Sequence, residues 1–142
     1  MILSATLLAA ALAAAGSQDP VPLQPGFPVS VGSSFHASPA LADVDGDGLD
    51  DIVAADQNGN VHVWRYDGSY LPGWPRSAGG GAILGHPSVG DLDADGYPEV
   101  VVATFGVPLV VAFHHTGELV SGYPYDASAL ANDHFRGGPA LS

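Results

Sequence analysis

Two short segments of this sequence carry acidic side chains at a spacing that suits metal coordination. We call residues 43–51 the first acidic loop and residues 91–99 the second acidic loop; in each, Asp or Glu stands at positions 1, 3, 5 and 9. A glycine at position 6 permits the sharp turn that brings alternate carboxylates to one point, and position 7 would contribute its backbone carbonyl. The predicted ligands are Asp43, Asp45, Asp47, Leu49 and Asp51 in the first loop and Asp91, Asp93, Asp95, Tyr97 and Glu99 in the second.

The chemistry of these donors indicates the kind of ion. Like charges a few ångströms apart repel one another unless a cation lies among them or some carboxylates bind protons. A set of about six hard oxygen donors, without histidine or cysteine, favours Ca²⁺ over transition metals; Mg²⁺ is less suited because it requires a tighter octahedron and retains its waters. The sequence therefore predicts Ca²⁺ at both loops, and the alternative is a pair of solvated acidic turns without metal.

An EF-hand does not explain the loops. That motif needs a bidentate Glu at position 12 and a helix on each side. Position 12 is Ala54 in the first loop and Val102 in the second, and both residues lie inside apolar runs typical of strands.

Both loops belong to an internal repeat. Residues 38–48 recur as residues 86–96, a shift of 48, and a Gly-aromatic-Pro corner occurs at residues 26–28, 73–75 and 122–124. The predicted organisation is a signal peptide (1–15), the tail of a preceding unit or linker (16–34), two complete repeats (35–82 and 83–134) and the start of a further repeat (135–142). The chain is therefore expected to be a fragment of a longer protein or to assemble with other copies.

Each repeat predicts four short antiparallel strands. Residues 52–55 and 100–103 are continuous apolar runs, as in strands buried on both faces, and Asn58-Gly59 marks a tight hairpin. The following residues 61–66 match residues 109–114, so His62 and His114 are expected to pack on a strand face, and Trp64 and Phe113 in the core between repeats. Four such strands in about 48 residues predict an all-β fold of β-propeller blades, with about two complete blades in a partial propeller.

The acidic loops also suggest a family. Asp-Val-Asp-Gly-Asp-Gly-Leu-Asp-Asp at residues 43–51, with Phe-x-Gly-Gly-Pro-Ala at residues 135–140, resembles the FG-GAP/VCBS repeat family, whose blades occur in integrin α-subunit propellers and in many exported bacterial proteins. The resemblance covers roughly residues 26–142. It implies a β-propeller in which the ten predicted ligands hold Ca²⁺ between the first two strands of each blade, with Glu99 lengthening one arm of the second site.

Charge and composition exclude several functions. The chain has 15 acidic and 3 basic residues, a formal charge of −12, so it is not expected to bind nucleic acid or an anionic membrane surface. It lacks cysteine, which excludes disulfides, zinc–thiolate sites and thiol catalysis. Its residues form no nucleophile elbow and no phosphate-binding loop, so we do not expect an enzyme.

The first residues predict export. Residues 1–15 form an uncharged apolar run that is too short to span a bilayer and ends in a small-residue Ala-x-Ala cleavage site. The mature chain is expected outside the cell or in the periplasm, with no membrane span. The expected function is that of an exported calcium-binding propeller protein, in which structural Ca²⁺ serves recognition of, or adhesion to, an extracellular protein or glycan. The alternative is a fragment of a propeller-based polysaccharide lyase or hydrolase.

Overall fold

Eight β-strands form two four-stranded antiparallel sheets in the computed structural model, which describes residues 22–129 and Pro139. In the first blade the strands are β1 (Ala40–Ala42), β2 (Asp51–Ala55), β3 (Asn60–Trp64) and β4 (Arg76–Ser77). In the second blade they are β5 (Ser88–Gly90), β6 (Glu99–Ala103), β7 (Leu109–Phe113) and β8 (Tyr125–Asp126). The strands of each sheet adjoin in chain order, which confirms the predicted all-β fold of four-stranded blades.

Parts of the predicted organisation lie outside the described residues. The predicted signal peptide (1–15) is one, and the predicted start of a further repeat (135–142) is described only at Pro139. The Pro139 carbonyl accepts a hydrogen bond from the Ser88 hydroxyl at the start of β5. Within the described part of the chain, no helix is long and apolar enough to cross a bilayer.

A tight hairpin joins β2 to β3. Gly59 has a φ of 84°, and a Cβ at this position would lie 2.4 Å from the Gly81 carbonyl oxygen, so only glycine fits. β2 is buried along nearly its whole length, because its alternate side chains face the second blade on one side and the segment that precedes β1 on the other. This explains its continuous apolar sequence.

The register of the strands corrects one part of the sequence comparison. Ile52 pairs with Trp64 in the first blade, and Val100 pairs with Phe113 in the second. The third strands are therefore offset by 49 residues rather than 48, and the direct match of residues 61–66 to residues 109–114 is wrong by one residue. The physical reason is the longer β6–β7 connection, which spans residues 104–108 where the β2–β3 connection spans residues 56–59.

The main core lies between the two blades. One face of the first blade packs against one face of the second, so that valines from both sheets form a single cluster with the side chains of the connecting segment. Its buried members include Val44, Val53, Val61, Val63, Leu71, Trp74, Ile83, Val100, Val102, Val111 and Phe113. Phe113 lies in this core, as expected, whereas Trp64 lies on the opposite face of the first blade. Packing of adjacent blades through apolar faces is the arrangement of a β-propeller.

Candidate metal site

Each acidic loop connects the first strand of its blade to the second. The first loop leaves β1 and enters β2 at Asp51, and the second leaves β5 and enters β6 at Glu99. The ends of each loop are held together by the sheet, because Ala42 pairs with Asp51 and Gly90 pairs with Glu99. Position 9 of each loop is consequently part of a strand, whereas the other acidic positions lie on the turn.

In the first loop the carboxylates organise the turn. Asp43 Oδ2 accepts a hydrogen bond from the Gly48 N–H at 2.9 Å, and Asp47 Oδ1 accepts one from the Leu49 N–H at 2.8 Å. Oxygens of Asp43, Asp45 and Asp51 lie within 4.8 Å of one another. Asp47, also a predicted ligand, lies on the exposed side of the turn, and the Leu49 side chain is exposed too.

The second loop repeats this arrangement. Asp91 Oδ2 accepts from the Gly96 N–H at 3.1 Å, and Asp95 Oδ1 accepts from the Tyr97 N–H at 2.8 Å. Oxygens of Asp91, Asp93 and Asp95 lie within 4.8 Å of one another. The structure therefore brings together the acidic positions 1, 3 and 5 here, and positions 1, 3 and 9 in the first loop. In the second loop Asp93 also forms a cluster with Glu99 and His114.

The residue at position 9 is buried in both loops. Asp51 is 2% exposed and Glu99 is 0% exposed. Asp51 Oδ2 accepts the Val44 N–H at 3.0 Å, and Glu99 Oε2 accepts the equivalent Leu92 N–H at 2.6 Å. The longer Glu side chain therefore holds the same backbone group as the Asp, and its second oxygen reaches His114 at 3.2 Å.

The electrostatics of the first loop favour a cation. Burial raises the pKa of the Asp51 carboxyl above its ordinary value, and the charges of Asp45 and Asp47 raise it further. Asp43 Oδ1 is buried and has no hydrogen-bond partner among the residues that the structure describes. A buried carboxylate oxygen without a donor is costly unless it binds an ion. The acidic clusters can therefore hold a metal ion. The donor atoms of the loops themselves are oxygens, and His114 adds a ring nitrogen beside Asp93 and Glu99.

Comparison with known proteins agrees with this geometry. Residues 43–102, which span both loops and the whole of β2, β3, β4 and β5, match the model of the FG-GAP-like repeat. This part of the chain is an FG-GAP-like repeat. No curated protein matches it.

Two basic side chains beside the acidic loops were missed from the sequence. Arg65 Nη2 donates a hydrogen bond to Asp45 Oδ2 at 2.8 Å. His114, which was expected on a strand face, follows the end of β7 instead and lies against Glu99 and Asp93. Gly68 and Gly117, in the turns that follow, are 49 residues apart and could have revealed that Arg65 and His114 are equivalent.

The two loops of the repeat protein also approach each other. The Tyr97 ring of the second loop stacks on His115 with ring centroids 4.3 Å apart. A Cβ added at Gly46 of the first loop would lie 2.9 Å from Tyr97 Cε1, so the ring covers this glycine. Tyr97 therefore links the first loop to the second, in addition to the backbone role predicted for it.

A buried polar group on the first blade was also missed. Asp56 accepts hydrogen bonds from the N–H groups of Asn58 and Asn60 at 3.0 and 2.8 Å, and it contacts His62 Nε2 at 3.2 Å. The other ring nitrogen of His62 lies 2.9 Å from the Tyr70 hydroxyl. Burial opposes ionisation of Asp56, but the hydrogen bonds from Asn60 and His62 outweigh it and lower the pKa of this carboxyl.

Proposed function

We propose that this is an exported calcium-binding β-propeller repeat protein that acts in extracellular recognition or adhesion. The observation that carries the proposal is the convergence of carboxylates in the same strand-to-strand connection of both blades. Calcium is the ion that fits best, because the donors are hard oxygens on a turn that includes flexible glycines, and Asp43 brings a buried oxygen without a partner.

The role that we propose for Ca²⁺ is structural. It would be held by Asp43, Asp45, Asp47, Asp51 and the Leu49 carbonyl in the first loop, and by the corresponding predicted residues of the second. An ion that binds only the folded state stabilises it by about 2.7 kcal/mol when its free concentration is 100 times its dissociation constant. Calcium would thereby hold the exposed loops in one arrangement for a partner.

We propose that the protein binds a protein or glycan and is not an enzyme. Its buried acidic side chains support this view, because Asp51, Asp56 and Glu99 each accept backbone N–H groups of their own connections. These carboxylates serve the fold where they stand. A location outside the cell is supported by the apolar run at residues 1–15 and by the high calcium concentrations there.

A further blade is the other partner that we propose. An apolar cavity of about 350 Å³ lies on the outer face of the first blade, where Ile52, Ala54 and Trp64 line it. By strand register these residues are equivalent to Val100, Val102 and Phe113, which the core between the two blades buries. The outer face of the first blade thus has the side chains of a blade-to-blade interface. The segment that precedes β1 covers part of this face, and a blade of a longer chain, or of another copy, would fill the cavity that remains.

Calorimetric titration tests the calcium proposal directly. The protein should bind two Ca²⁺ ions, Asp45→Ala and Asp93→Ala should each remove one site, and chelation should lower the melting temperature. Asp50→Asn is the matched control, because Asp50 is an exposed acidic residue of the first loop at a position that is not a predicted ligand. Absence of calcium binding, with the same melting temperature in calcium and in chelator, would contradict the proposal.

Recognition and catalysis need separate assays. Binding to an array of glycans and matrix proteins should occur in calcium and disappear in chelator. Cleavage of an acidic polysaccharide by the purified chain, retained in the Asp45→Ala/Asp93→Ala double variant, would favour the carbohydrate-active alternative over a binding protein.

A further inference from the structure

Arg65 and His114 stand at the same position in their blades but give the two acidic loops different surroundings. Each is the first residue after the third strand, and each lies beside position 3 of its own loop. Arg65 Nη2 is 2.8 Å from Asp45 Oδ2, whereas His114 Nδ1 is 3.8 Å from Asp93 Oδ2 and closer to Glu99. The first loop thus has an ion pair on its position-3 ligand, and the second has an imidazole.

Both carboxylate oxygens of Asp45 accept a hydrogen bond. Its Oδ2 accepts the guanidinium of Arg65, and its Oδ1 accepts the Asp47 N–H at 3.2 Å. The guanidinium is a permanent cation, and the hydrogen bond with Asp45 raises the pKa of Arg65 further. An ion that approaches the first loop must therefore share Asp45 with a positive charge or displace it, and two cations at this separation repel each other.

We propose that Arg65 competes with Ca²⁺ for Asp45, so that the second acidic loop binds calcium more tightly than the first and fills first. This inference rests on the proposed function, because it concerns the order in which two calcium sites load. It gives the protein two calcium thresholds, and the second threshold breaks or weakens an ion pair of the first blade.

The structure provides space for the displaced side chain. A cavity of about 320 Å³ between the blades is lined by Asp45 and Arg65 together with Leu71, Pro72 and Thr116. Because Arg65 already lines this cavity, we expect the displaced guanidinium to stay within it. Loading of the first loop would therefore place a positive charge at the seam between the blades, in a chain whose formal charge is −12.

Reciprocal substitutions test the competition. Calorimetry of the wild-type chain should give two dissociation constants that differ by about 10-fold or more, since a neighbouring fixed charge changes ion affinity by this order. Arg65→Gln should tighten the weaker site about 10-fold and leave the tighter site unchanged. His114→Arg should weaken the tighter site by a similar factor. Asp43→Asn and Asp91→Asn, which remove a ligand from the first and second loops, assign the two sites.

Two further measurements separate competition from a general effect on the fold. Arg76→Gln is the matched control: Arg76 is exposed and lies beside Gly73 and Gly117 at the seam, and its loss should change neither affinity. Arg65→Gln should also lower the melting temperature of the calcium-free protein slightly, because it removes an ion pair, while it tightens calcium binding. If Arg65 had a purely structural role, Arg65→Gln would lower both the melting temperature and the calcium affinity.

The outcomes distinguish this inference from the proposed function. Two sites whose affinities do not respond to Arg65→Gln would overturn the competition and leave the calcium function intact. Failure of every variant and of the wild-type chain to bind calcium would overturn both. If Arg65→Gln does not fold, the calcium affinity of the second acidic loop in His114→Arg tests the inference. An affinity equal to that of the wild type would overturn it.

Discussion

Replacement of Asp51 by Asn should change the stability of the protein in opposite directions with and without calcium. Asp51 is buried, and burial together with the nearby Asp45 and Asp47 raises its pKa, so its charge destabilises the calcium-free fold. An Asn side chain has nearly the same volume and can still accept the Val44 N–H through its amide oxygen. In excess chelator the variant should therefore unfold at a higher denaturant concentration than the wild type. Its free energy of unfolding should be higher by about 1 kcal/mol.

In calcium the same substitution should lower the stability of the protein. If free calcium is set at 100 times the wild-type dissociation constant of the first site, that site contributes about 2.7 kcal/mol. Loss of one charged ligand weakens such a site by about 100-fold, which leaves a contribution of about 0.4 kcal/mol at the same calcium concentration. The calcium-dependent increment from this site should thus fall by about 2.3 kcal/mol, or roughly 9 °C in melting temperature at about 4 °C per kcal/mol.

Urea unfolding of the wild type and of Asp51→Asn, in chelator and in calcium, measures the stability of the calcium-free protein and the increment that calcium adds. Asp50→Asn, at an exposed position of the same loop, should change neither by more than about 0.5 kcal/mol. The reasoning is refuted if Asp51→Asn destabilises the calcium-free protein and leaves the calcium increment at its wild-type size, because Asp51 would then act only as a backbone acceptor.

Three other predictions follow from the described residues. Ala94 has a φ of 63°, in the left-handed region, so Ala94→Gly should stabilise the protein by about 1 kcal/mol in urea unfolding, and a loss of stability would contradict this. Val63 is fully buried between the blades, so Val63→Ala should lower the free energy of unfolding by about 2 kcal/mol. Leu41→Ala, at a side chain that is 65% exposed, should lower it by less than about 0.5 kcal/mol. Equal losses would argue against the core as described. The pKa of Asp56 is lowered in the folded state, so its stabilising contribution is present above the ordinary Asp pKa of about 3.9 and is lost as pH falls through the lower folded value. In chelator, an Asp56→Asn variant should therefore lose less stability on acidification than the wild type. Parallel curves of stability against pH would refute the assignment.

Much of the candidate site was predictable because its information is local. The ligand spacing, the glycine at position 6 and the second copy of the pattern all lie within nine-residue windows, so Asp43 and Asp91 could be named without a fold. The four-stranded blades were predictable for a related reason. Turn residues such as Asn58-Gly59 and continuous apolar runs specify hairpins between neighbours in the sequence.

Which side chains surround each loop was decided only by tertiary structure. One extra residue in the β6–β7 connection shifts the offset of the third strand from 48 to 49, and a shift of one residue exchanges the two faces of a strand. Arg65 and His114 therefore reach the acidic loops through a register that no local pattern displays. The contact of Tyr97 with Gly46 likewise depends on how one blade packs on the other.

The sequence by itself thus determined that two carboxylate loops recur in a repeated all-β chain, because turn geometry and ligand spacing are encoded over a few neighbouring residues. The sequence also showed that the loops differ at position 9, but only the tertiary structure decided which basic side chain lies beside each loop. Arg65 is 20 residues from Asp45 in the chain, and His114 is 15 residues from Glu99. Only strand pairing brings these side chains within hydrogen-bond distance, and that pairing is a property of the folded sheet.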